Sequence, residues 1–85
     1  MSIKLDTFRY AVTTRYAGPT NYRGSRIIAR TNSMRVTMPY RHELNASGNH
    51  AAAAQLLADK MGWSGEWRGA QLPDDSGYVF IYNVE

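Results

Sequence analysis

The residues best equipped for chemistry lie together in Tyr16-Ala-Gly-Pro-Thr-Asn-Tyr-Arg-Gly-Ser-Arg26. Arg23 and Arg26 can fork onto a carboxylate or a phosphate, and Thr20, Asn21 and Ser25 can bond backbone or ligand. Tyr22 offers a ring on which a base could stack. A loop that only reverses the chain usually needs about two to five residues, so this longer segment reads as a binding element. It is not a Walker A loop, because the Gly-Lys-Ser/Thr ending and the following helix are missing. It could form an anion nest from N–H groups, hydroxyls and Arg23. The alternative is that Arg23 and Arg26 pair with Asp or Glu and tie the loop down.

Other constellations are poorer. The two histidines, His42 and His50, have no cysteine partners and no zinc spacing. His50 falls in the first turn of a predicted helix, where it could cap, pack or touch a partner; His42 sits in a polar connector. No serine occupies a Gly-x-Ser-x-Gly elbow. Asp74-Asp75 is a carboxylate pair in a Pro/Gly turn, where such residues are ordinary turn formers. No nucleophile, base and orienter converge in the sequence. The expectation is a chain that is not an enzyme and uses no metal or cofactor.

The elements that would position the loop follow from periodicity. Residues 7–16 alternate, with Phe8, Tyr10, Val12, Thr14 and Tyr16 on one face and Arg9, Thr13 and Arg15 on the other, which predicts a half-buried strand. Residues 25–31 and 34–40 predict a hairpin about Asn32-Ser33. Its inward faces would be Ile27 with Ala29, and Met34 with Val36 and Met38; Arg26, Arg30 and Arg35 then point outward with Ile28 and Thr37. Pro39 ends that strand or marks an edge. Residues 45–62 predict the one helix, N-capped by Ser47 or Asn45, with Ala53, Ala54, Leu57, Ala58 and Met61 as the apolar stripe and Gly62 as C-cap. A weak strand over 64–72 and a strong one over 77–84 follow, separated by a turn at 73–77. Apolar residues on both sides of the last strand suggest a central position or a sheet covered on both faces.

The order β-β-β-α-β-β implies an α+β fold: one antiparallel sheet of about five strands with the helix packed on one face. Eighty-five residues form a single small domain spanning 1–85. Absence of cysteine fits a reducing cytoplasm. The first residues do not read as a signal peptide, and no apolar run approaches the roughly 20 residues needed to span a bilayer.

Charge is more informative by position than in total. Residues 1–44 carry eight Lys/Arg against two acids, +6, whereas 45–85 carry two against five, −3. Eight of the ten cations are arginine, the side chain suited to bidentate contact with phosphate or carboxylate. If the three N-terminal strands share a sheet, Arg9, Arg15, Arg26, Arg30 and Arg35 form one basic surface, able to track a phosphate backbone or meet an acidic protein surface. A solvated face that only keeps the domain soluble is the alternative. The aromatic signature of sequence-specific RNA readers is absent. The expected partner-binding set is Arg15, Thr20, Asn21, Tyr22, Arg23, Ser25, Arg26, Arg30 and Arg35. A homodimer through the 77–84 strand or an exposed edge is also open.

The run from Tyr16 to Ile27, Asn49-His50 before an alanine-rich helix, Met61-Gly-Trp63, and Leu72-Pro-Asp-Asp-Ser-Gly-Tyr-Val-Phe80 together resemble a group of small phage and prophage proteins of proteobacteria. The resemblance covers about positions 16 to 80 and carries no assigned activity. It implies a phage context and a bacterial host cytoplasm, in which small basic domains bind nucleic acid or, like anti-CRISPR proteins, block host nucleic-acid-handling complexes.

Overall fold

In the computed structural model of the chain, residues 10–74 and 76–84 are described, the last two by their backbone alone. The fold is α+β: a five-stranded antiparallel sheet with one helix against it. In chain order the elements are β1 (Tyr10–Ala17), β2 (Arg26–Arg30), β3 (Arg35–Pro39), α1 (Ala46–Met61), β4 (Gly65–Gln71) and β5 (Tyr78–Val84). The sheet order is β3-β2-β1-β5-β4. Two hairpins, β2–β3 and β4–β5, thus flank β1, which lies at the centre. Each strand is paired antiparallel to its neighbours.

The alternation of β1 sorts its residues as the periodicity predicts. Val12 and Thr14 are buried beneath the helix while Ala11, Thr13 and Arg15 are exposed. Ile27, Ala29, Val36, Met38, Phe80 and Tyr82 share the buried face with Ala53, Ala54, Leu57 and Ala58 of α1. Small alanines let the helix lie close on β1, β2 and β3. A single helix about 10 Å wide cannot cover five strands whose outer axes lie about 19 Å apart at ~4.8 Å spacing. Aromatics cover the rest: Trp63 stacks on Tyr10 with ring centroids 4.5 Å apart, and Trp67 stacks on Tyr82 at 5.6 Å.

Local signals fix the ends of α1. Asn45, rather than Ser47, is the N-cap, its side chain accepting from the Gly48 N–H at 2.7 Å; the Ser47 hydroxyl donates to the same oxygen. Gly62 closes the helix in the left-handed region (φ 74°) and the Trp63 N–H returns to the Ala58 carbonyl, the arrangement in which glycine carries no Cβ penalty. Asn49, which periodicity passes over, is fully buried. Its Oδ1 accepts from the Arg41 N–H at 2.7 Å, and its Nδ2 donates to the Arg41, Leu44 and Asn45 carbonyls. One amide thereby anchors the whole 41–45 connector to the helix.

Of the two settings predicted for the last strand, β5 takes the first: it is interior to the sheet, and its second face is open, with Ile81 38% exposed there. Because β5 is bonded to both β1 and β4, a second copy cannot add to it; β3 and β4 present the edges. The predicted strand residues 7–9, Arg9 among them, and Asp75 of the predicted turn lie outside the described residues.

Candidate functional site

The candidate surface is the sheet face turned away from α1. The registers place its residues in tiers across the strands. Arg26 of β2 lies between Ala17 and Pro39; Ile28 lies between Arg15 and Thr37; Arg30 lies between Thr13 and Arg35, with Val79 beyond Thr13. Successive tiers are two residues apart, about 7 Å at ~3.4 Å per residue. Arg15, Arg26, Arg30 and Arg35 of the predicted set therefore do share one face. Ile28 is only 7% exposed although it belongs to the open side; flanked in the ladder by Arg15 and Thr37, it sits where arginine stems cover apolar surface.

The electrostatics of this face are unbalanced. Arg30 and Arg35 stand directly opposite one another. The Thr31 N–H bonds the Met34 carbonyl at 2.8 Å, so the next pair, Arg30–Arg35, is of the non-hydrogen-bonded kind, in which side chains come closest. Among the described residues the ion pair that forms is Arg41–Glu43, in the connector and away from this face; that contact holds the Glu43 carboxyl below its ordinary pKa. The reading in which Arg23 and Arg26 are tied down by carboxylates therefore has no counterpart among the described residues. Nε and Nη1 of Arg26 are buried and make no hydrogen bond there. Glu66, on β4, shares the face but lies on the opposite edge strand, about 20 Å from Arg30 by strand spacing and rise.

The 16–26 loop is built differently from an anion nest. The Thr20 hydroxyl accepts from the Tyr22 and Arg23 N–H groups at 3.2 and 3.0 Å, and the Thr20 N–H donates to the Arg23 carbonyl at 2.7 Å. Those three N–H groups are consumed inside the turn, and Thr20 serves as its clasp. The Tyr16 hydroxyl donates to the Ser25 hydroxyl at 2.9 Å, while the Ser25 carbonyl accepts from the Tyr40 N–H. What the loop offers outward is Asn21, Arg23 and Tyr22, the last 95% exposed. A hollow of about 370 Å³ between Arg23, Gly24, Ser25, Arg26, Thr37 and Pro39 joins the loop to the sheet face. A second, about 230 Å³, lies between Arg15, Arg30, Ile28, Leu72 and Ser76, and a third, about 430 Å³, adjoins Arg30, Thr13 and Ala11.

The sequence-derived set omits Arg68, which lies on this face beside Ile81 and Ala11. The alternation about Trp67 was the signal for it. Leu72 and Ser76 reach the surface only because the β4–β5 turn folds beside Arg15, which no local pattern reveals. His50 belongs elsewhere: it is buried on the helix side, its Nδ1 sharing a 2.6 Å hydrogen bond with the Thr14 hydroxyl and its ring lying 4.5 Å from that of Tyr78. Burial holds its pKa below the ordinary histidine value. Asp74 accepts from the Ser76 N–H at 3.0 Å, a turn role. Among the described residues no three His, Asp or Glu side chains gather as metal ligands, and no helix is long and apolar enough to cross a membrane. No protein-family model, curated protein or solved structure matches the chain.

Proposed function

We propose that the protein is a non-catalytic binding module of phage type, whose open sheet face and 16–26 loop engage an anionic surface, most simply nucleic acid. One observation carries this reading: Arg15, Arg26, Arg30 and Arg35 share a face on which, among the described residues, no carboxylate neutralises them, and two of them are held side by side. A fold gains nothing from opposed like charges; a polyanion gains a charge-assisted contact from each. Arg23 and Tyr22 extend the surface at the loop end. Arg-rich recognition of a polyanion releases counterions, so affinity should fall steeply with salt.

Fluorescence anisotropy with labelled single- and double-stranded DNA and RNA across a salt series tests the proposal. Micromolar or tighter binding, steeply salt-dependent and lost in Arg23→Gln/Arg30→Gln, is the expected result. Absence of binding at low ionic strength refutes it. The same face would then be offered to an acidic surface of a host protein complex, the anti-CRISPR-like role, for which a purified host complex rather than free nucleic acid is the ligand.

A further inference from the structure

The open face is divided. Its β2–β3 side and the adjoining end of β1 carry Arg26, Arg15, Arg30 and Arg35; its β1–β5 side carries Ala11, Val79 and Ile81, with Ile81 38% exposed and Arg68 of β4 at its far border. The two halves lie side by side, and Thr13 stands between Arg30 and Val79 in one tier. The basic half advances in three tiers about 7 Å apart along the strands, a step comparable to one nucleotide of an extended single strand. Tyr22 and Arg23 lie at the Arg26 end of the track, in the loop joining β1 to β2.

Resting on the nucleic-acid reading above, we infer that the strand bound here is single. Its backbone runs along β2, with one phosphate in the hollow between Arg26 and the exposed Arg23, the next on Arg15 and the third between Arg30 and Arg35. Its bases turn toward Val79 and Ile81, and Tyr22 stacks on a base beyond Arg26. Stacking and apolar contact of this kind tolerate any sequence, because every base has a π-face. A duplex fits the surface poorly. Its bases are already stacked, and its major groove, about 12 Å wide, admits a helix or a two-stranded ribbon. Here α1 occupies the other face, and the sheet spans about 19 Å between its outer strand axes.

The test compares a labelled 12-nucleotide oligo-deoxythymidylate, an abasic oligomer of the same length and a 12-base-pair duplex, by anisotropy with the full chain. The single strand is expected to bind at least tenfold tighter than the duplex, with a slope of log affinity against log salt near −2, from about −0.7 for each of three phosphates. Arg15→Gln should flatten that slope by about 0.7. Tyr22→Ala should weaken the single strand about fivefold or more and Ile81→Thr severalfold, both with the slope unchanged. These side chains are exposed, and unaltered thermal melts establish that the variants are folded. Duplex binding as tight as single-strand binding, or an abasic oligomer equal to the thymidylate, overturns the inference and leaves the wider proposal standing. Binding of none of the three at low salt overturns the wider proposal itself.

Discussion

Replacing Arg35 by glutamate should stabilise the protein while abolishing part of its binding, an inversion that purely structural residues do not give. Arg35 faces Arg30 across a non-hydrogen-bonded pair, which places the Cα atoms about 4.5 Å apart and the Cβ atoms about 5 Å apart. Two exposed unit charges at ~6 Å repel by about 0.7 kcal/mol in water, and a Debye length of about 8 Å at physiological salt roughly halves that. Reversing one sign removes the repulsion and adds an attraction of similar size, so Arg35→Glu should gain about 0.5–1 kcal/mol. For a chain of this length that raises Tm by roughly 3–6 °C. Urea and thermal melts at 50 mM and 500 mM salt measure it, and the gain should shrink at the higher salt. Arg30→Glu should behave alike, whereas the double variant R30E/R35E restores opposed like charges and should lose the gain. Additive stabilisation in the double variant, or no change in either single one, would refute the close opposition of the two guanidinium groups. Anisotropy on the same proteins should show weakened binding in all three.

Asn49→Asp should cost about 2–4 kcal/mol in urea unfolding, because three carbonyls lose their donor and a charge is buried; a cost below 1 kcal/mol would deny the amide its anchoring role. Tyr82 is 3% exposed and its hydroxyl is buried without a hydrogen bond among the described residues, so Tyr82→Phe should leave stability unchanged or raise it by up to about 1 kcal/mol. Burial, with the charge of Asp59, pushes the Tyr82 phenol up to about 12. The neutral form is the one the fold favours, so this contribution is complete below pH ~10 and is lost as pH rises through about 12. Absorbance titration should show a last ionising phase that vanishes in Tyr82→Phe. His50 has the opposite sense: its folded pKa is depressed by burial, so its contribution is present above the ordinary histidine pKa and is lost as pH falls through the folded value. Stability measured between pH 7.5 and 5 should decline, and His50→Gln should flatten the decline; an unchanged slope would refute the assignment.

The elements and their faces were legible in the order of residues, because strand and helix periods depend only on neighbouring residues. Alternation in β1 and in the β2–β3 hairpin assigned Arg15, Arg26, Arg30 and Arg35 to the outward side, and Asn45 and Gly62 marked the ends of the helix through local cap chemistry. What stands beside what is a different matter, since pairing joins residues distant in the chain. Folding places β1 at the centre and β5 inside the sheet, which sets the apolar strip of Val79 and Ile81 beside the arginines. It decided the register that opposes Arg30 and Arg35. It also decided that the Thr20 hydroxyl closes its own turn and that Asn49 holds a connector, because a polar side chain has many potential partners and folding chooses among them by proximity. A one-residue slip in strand register would have sent Arg15, Arg26, Arg30 and Arg35 to the other face, and burial of the hydrophobic set beneath α1 is what fixes it.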